Sequence, residues 1–178
     1  FLLSYGVSRL GAMAIGFFLV FGNTQFELTG TQVGILTGIL IGSEALINLL
    51  FGYIGDRVGH KIVLTLSAFA LTGAALLAWL SGSIAGLYVV FVLLGASIAG
   101  DKVSRFNIVL EFADQEDHPT FIGLTNTLLA PVVGLGPILG GWLATVLDYR
   151  PFFLISAVIS IIGGFLLLTL VREPRRAA

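Results

Sequence analysis

The sequence predicts an all-α, polytopic membrane protein built from six transmembrane helices. Three observations carry that prediction. Of 178 residues, 57% are hydrophobic and only 11% are charged, against about 25% charged in an ordinary soluble domain. The mean hydropathy is +1.03. The charges are also gathered into short intervals, and the runs between them are long enough to cross a hydrocarbon layer about 30 Å thick, which takes roughly 20 residues of helix. The net charge of −1 leaves no basic face for a nucleic-acid partner, which must neutralise phosphates. With no cysteine, disulfides and thiolate metal sites are excluded. The partners expected are the lipid bilayer and a small-molecule substrate, with no resident cofactor.

The first span, residues 1–21, is interrupted by Arg9, which lies on a polar stripe with Ser4, Tyr5 and Ser8; such a stripe suits a cavity wall better than a lipid face. After a polar connection over residues 23–32, the second span, residues 33–53, carries Glu44 at its middle and Asn48 one turn on, on the same face. Burying an ionisable group at mid-helix costs about 2.5–3.5 kcal/mol on insertion scales, so such groups turn to a bundle interior or to water. Two readings of Glu44 stay open: a proton or substrate group, or a structural carboxyl that pairs with Arg9 or remains protonated. Gly34, Gly38 and Gly42 form a small-residue ridge on this span, at a spacing that lets helices approach. Glu44 falls about 200° round the helix from Gly42, so packing and chemistry are expected on different faces.

The third span, residues 62–80, contains no charge, and Ser81, Gly82 and Ser83 make a bare hairpin to the fourth, residues 84–113. There Asp101 and Arg105 are spaced for an i, i+4 pair with Ser97 one turn earlier. Lys102 and Arg105 can alternatively snorkel to water from the end of a long span. An acidic connection, Asp114 to Asp117, leads to the fifth span, residues 121–147, with Thr125, Asn126 and Thr127 near its start and Gly136, Pro137, Gly140 and Gly141 further along. Pro137 removes a backbone donor and bends the helix. A turn over residues 148–151 precedes the charge-free sixth span, residues 152–171.

Basic residues orient the bundle. Arg57 and Lys61 after the second span, and Arg172, Arg175 and Arg176 in the tail, fall on one side, against Arg150 on the other. That side is expected to be cytoplasmic, with both termini of the segment on it, in a bacterial-type plasma membrane. Trp79 and Trp142 fall toward the outer ends of their spans, as an interfacial belt requires.

Between the second and third spans stands Gly52-Tyr53-Ile54-Gly55-Asp56-Arg57-Val58-Gly59-His60-Lys61. It resembles the signature loop of the major facilitator superfamily, Gly-x-x-x-Asp-Arg-x-Gly-Arg-Lys-x-x-Leu, at Gly52, Asp56, Arg57, Gly59, Lys61 and Leu64. His60 departs from it, where the family has arginine. The resemblance implies half of a twelve-helix secondary transporter that moves a small solute by alternating access. In such a half the first and fourth helices line the cavity, the second and fifth flank it, and the third and sixth stand outside. The loop would latch the two halves together, and Glu111, at the end of the fourth span, would be its local partner. In the second connection His118 stands five residues before Gly123, again where the resemblance expects arginine. Two titratable imidazoles in the latch would make it pH-sensitive; the plain reading is a pair of solvated loop side chains.

Gly136-Pro137-x-x-Gly140-Gly141 resembles part of a motif of proton-driven drug exporters in that superfamily, though the family's preceding glycine would fall at Val132. Drug or metabolite efflux with the proton as coupling ion is therefore the first subtype expected. Sugar or organic-anion uptake comes second, and a non-transporting scaffold, receptor or channel third. The chain begins at Phe1 inside an apolar run, without an initiator Met, and reads as a fragment whose second half is missing. Phe91 stands where a first half would carry arginine four residues before Gly95, which favours the C-terminal half; both motifs are better known from first halves. No histidine falls in a span and no metal-ligand spacing occurs, so an enzyme is not expected.

Overall fold

The computed structural model describes residues 1–112 and 115–171. Ala113, Asp114 and the tail arginines Arg172, Arg175 and Arg176 lie outside the described residues. The first span consists of α1 (Leu2–Gly11), a 3-10 segment over Ala12–Phe17, and α2 (Phe18–Phe26). The later spans are α3 (Gly30–Val58), α4 (His60–Leu80), α5 (Ile84–Glu111), α6 (His118–Leu147) and α7 (Tyr149–Leu170). Among the described residues, six helices, counting the first span as one, are long and apolar enough to cross a membrane.

Several ends differ from expectation for local reasons. The first span runs to Phe26 rather than residue 21, because Gln25 and Thr24 continue its helical turn, where Thr24 Oγ donates to the Phe21 carbonyl at 3.0 Å. α3 starts earlier, at Gly30, under a reciprocal cap. The Gln32 amide donates to Thr29 Oγ at 3.3 Å, and the Thr29 amide donates to Gln32 Oε1 at 2.9 Å; both satisfy backbone donors that helix starts leave open. At its other end α3 continues through the charged segment, so Asp56 and Arg57 occupy its last turn and Lys61 the first turn of α4. The reversal is confined to Gly59, whose φ of 111° and ψ of 151° fall where a side chain is strongly disfavoured. Neither histidine is in a loop: His60 opens α4 and His118 opens α6.

Packing builds from the centre outward. α4 lies against α5 and α7, the first span lies against α7, α3 leans on α5, and α6 leans on the first span. Half or more of the most apolar stretch of α4 and α5 is buried, 56% and 50%, but only 6% of that of α3 and 22% of that of α6. Within the main core, among aliphatic side chains such as Leu36, Leu87 and Val90, Phe18, Phe21, Phe152 and Phe153 are fully buried, with Phe18 stacked on Phe153 at 4.5 Å. Large apolar side chains such as Leu46, Leu49 and Ile138 point outward, as they do when the surrounding medium is hydrocarbon.

The expected glycine ridge on α3 packs against nothing within this unit. An added Cβ at Gly34, Gly38 or Gly42 would meet no atom within 4 Å. The close approach of α3 and α5 uses Gly95 instead, where a Cβ would fall 2.8 Å from the Leu40 carbonyl and 2.9 Å from the Glu44 amide.

Candidate functional site

The intramembrane charges meet between the first span, α3 and α5. Arg9 donates to Asp101 Oδ2 at 3.0 Å, with the two side chains 23% and 17% exposed. Tyr5, one turn before Arg9 and almost fully buried, donates its hydroxyl to the other oxygen, Asp101 Oδ1, at 2.6 Å. Lys102 Nζ reaches Glu44 Oε1 at 2.5 Å. Two pairings that the sequence left open are thus not the ones formed. Glu44 pairs with Lys102 rather than with Arg9, because α3 leans on α5 and not on α1. Asp101 pairs across helices with Arg9 rather than along its own helix with Arg105, since α1 supplies both a cation and a hydroxyl to the same carboxylate.

A cavity of about 280 Å³ opens beside these pairs, walled by Ser8 and Arg9, by Ser67 and Leu71 of α4, and by Ser97, Asp101, Lys102 and Arg105 of α5. α4 therefore does not stand clear of the site, as the third span was expected to. Ser67 is buried and donates to the Ser97 carbonyl at 2.7 Å. Nothing in the apolar run of α4 singles Ser67 out; only its position opposite Ser97 does. Glu44 and Asn48 are not among the residues walling the cavity, and Glu44 touches it only through Lys102. Asn48 keeps a buried side-chain oxygen without a hydrogen bond. On the far side of Arg9 and Arg105 lies a second, smaller space of about 140 Å³, closed by Tyr5 and by Asn126, Leu129 and Val133.

The charged segment at one end of the bundle forms its own crevice, lined by Asp56, His60, Asn107 and Glu111. The structure thus brings Glu111 to the segment. Arg57 lies over the Tyr53 ring at 4.6 Å, a cation–π contact at an exposed position. His60 is only 3% exposed, and its Nδ1 and Ser104 Oγ are hydrogen-bonded at 3.0 Å. This corrects the picture of a solvated loop side chain. Gly55 makes room for that ring, since a Cβ there would fall 2.6 Å from His60 Cε1. Gly52 has open space around it.

In α6 the glycines around Pro137 face the 3-10 segment. A Cβ at Gly140 would come within 2.9 Å of the Met13 carbonyl, Gly136 lies against Met13 more loosely, and Gly141 faces Phe17. The 3-10 segment itself gives no plain signal in the sequence beyond Gly11 and Gly16 at its edges. Its tighter hydrogen bonding coincides with capture of the Gly11 carbonyl by the buried Ser156 hydroxyl at 2.7 Å.

The sequence profile of the Major Facilitator Superfamily matches residues 1–178. The chain is 23% identical over 152 residues to Multidrug resistance protein 1 of Bacillus subtilis, covering 85% of this chain and 39% of that protein. It is 30% identical over 145 residues to Multidrug resistance protein MdtG of Dickeya zeae, covering 79% and 34%. Against the uncharacterized MFS-type transporter YitZ of Bacillus subtilis it is 27% identical, covering 78% and 84%. Among solved structures, the inward-open xylose transporter XylE of E. coli superposes with a TM-score of 0.68 at 17% identity, over 98% of this chain and 49% of that one. The chain thus spans about half of that structure and about two fifths of the first of these relatives. A profile match over its whole length means that the chain belongs to the Major Facilitator Superfamily.

Proposed function

We propose that the chain is one six-helix half of a secondary active transporter that moves a small solute across a membrane by alternating access, with the proton as coupling ion. The observation that carries this reading is the Asp101 carboxylate, held jointly by Tyr5 and Arg9 between the first span and α5 and bordering a polar cavity. While ionised, Asp101 ties the two helices together. A proton on it cancels the attraction to Arg9 and removes one acceptor, so the first span is released from α5 and Arg9 is freed for another partner. Protonation and solute binding then bias one two-state element, which is what coupling requires. Glu44 acts on the same cavity through Lys102. Export of a drug-like or metabolite substrate is the favoured direction, because the names of two relatives are multidrug resistance proteins.

The Asp56, Arg57, Gly59 and Lys61 segment, with Gly52 and Gly55 in the preceding turns and Glu111 beside it, serves as a latch toward a second six-helix half, on the cytoplasmic side. The exposed faces of α3 and α6 receive that half, in keeping with the greater length of most of the relatives. A bistable contact of this kind lets two halves rock around a central site.

Full-length protein reconstituted into proteoliposomes tests the coupling role. Saturable uptake driven by an imposed pH gradient is expected, and Asp101→Asn should abolish pH-driven accumulation while exchange without a gradient persists. An unchanged pH dependence in Asp101→Asn rules out Asp101 as the coupling group, and the same result in Glu44→Gln removes Glu44. Non-saturating flux points to a channel.

A further inference from the structure

Of the cations beside the cavity, Arg105 is the one that the ion pairs among the described residues leave over. Three cations, Arg9, Lys102 and Arg105, border the larger cavity, and the two carboxylates near them are committed. Asp101 is taken by Arg9 and Tyr5, and Glu44 by Lys102. Among the described residues Arg105 makes no ion pair, and its Nε is buried without a hydrogen-bond partner. Its guanidinium carbon lies over the Phe106 ring at 4.3 Å, which supports the charge from one face, while the buried Nε–H at its edge stays unmatched. Arginine cannot shed its proton in a protein, so the cost of an unmatched charge among apolar helices is met only by an anion or by water.

Arg105 and Arg9 also share a position. Both border the cavity of about 280 Å³ and the space of about 140 Å³ that Asn126 closes on the α6 side. An oxyanion between them would meet the guanidinium of Arg105 and the N–H groups of Arg9 that Asp101 leaves free, the kind of planar donor that arginine offers to carboxylate and phosphate groups. We propose that Arg105, with the remaining N–H groups of Arg9, forms a subsite for an oxyanion, the carboxylate or phosphate group of the transported solute. That the anion belongs to a transported solute rests on the transport reading above; its binding does not.

The test is calorimetric titration of full-length protein in phosphatidylcholine nanodiscs with succinate and with inorganic phosphate, using choline and glucose as cationic and neutral controls. At least one oxyanion is expected to bind saturably, and the controls are not. Arg105→Gln should weaken binding about tenfold or more, and Arg105→Lys, which keeps the charge but not the fork, by less. If Arg105→Gln does not fold, Asn126→Asp decides: a carboxylate supplied by the protein should raise thermal stability and eliminate oxyanion binding. Absence of binding by both anions, or unchanged affinity in Arg105→Gln or in Asn126→Asp, overturns the subsite. So does a rise in thermal stability seen only in nanodiscs containing phosphatidylglycerol and with neither added anion, which would assign the site to a lipid headgroup. Anion binding without uptake in proteoliposomes would leave the subsite standing and remove the transport reading; saturable uptake with no anion binding would do the reverse.

Discussion

Tyr5 and Arg9 are one helical turn apart and close on the two oxygens of a single carboxylate, so Asp101 has a partner for each oxygen while sitting among apolar helices. A carboxylate in that setting costs several kcal/mol if a partner is removed, which is why the three residues act as one unit. The second pair, Glu44 with Lys102, depends on how close α3 comes to α5, and that is set by Gly95. Gly95→Ala would press a methyl on the Leu40 carbonyl and the Glu44 amide, backbone atoms that cannot turn aside. It is expected to lower stability by about 1–3 kcal/mol, read as a lower thermal unfolding temperature, and to shift Glu44 away from Lys102. The identities of these charges were plain in the sequence because each interrupts an apolar run. Their partners were not, since Tyr5 lies 96 residues from Asp101 and Glu44 lies 58 from Lys102. Spacing along one helix suggested an Asp101 and Arg105 pair, and tertiary geometry overrode it.

Helices in this bundle are shaped where they touch. The first span tightens into a 3-10 turn over Ala12–Phe17, where α7 takes the Gly11 carbonyl through Ser156 and α6 presses Gly140 on Met13. The Gly136-Pro137-x-x-Gly140-Gly141 stretch thus has a physical role inside this half, as the seat for the 3-10 segment of the first span. Gly140→Ala is expected to destabilise the protein by about 1 kcal/mol or more and to reduce transport. Gly134→Ala on the same helix, with no atom within 4 Å of the added carbon, should be close to neutral. Thermal unfolding of both variants in one detergent checks the contrast; equal effects would mean that helix propensity, rather than the contact with Met13, governs this stretch. The six apolar runs could be read as helices directly. The break in the first could not, because the residues that cause it belong to α6 and α7.

At the scale of the whole molecule, α3 and α6 are the least enclosed spans, and the Gly34, Gly38 and Gly42 face of α3 is open. Gly38→Leu is accordingly expected to leave the fold of this half intact and to impair assembly or transport of the full-length protein. Normal transport by Gly38→Leu would mean that this face meets only lipid. Orientation can be tested cleanly, because the chain has no cysteine of its own. A Ser83→Cys variant in intact cells should react with a membrane-impermeant thiol reagent, and an Asp117→Cys variant only after permeabilisation. The opposite pattern would invert the bundle and place the Asp56-Arg57 segment outside.

Hydrophobicity and length alone determined that six helices cross a membrane, because a lipid-embedded backbone has few other ways to satisfy its polar groups. The Asp56-Arg57-Val58-Gly59 run marked the family, since a sharp reversal between two spans needs Gly59 and leaves charge at the surface. Tertiary structure decided the rest: which charge neutralises which, that α4 contributes Ser67 to the cavity, that His60 is buried against Gly55 and Ser104, and that Arg105 is left unmatched. These are contacts between helices distant in the chain. Their geometry follows from the approach distances that Gly95 and Gly140 permit, which periodicity along one helix does not encode.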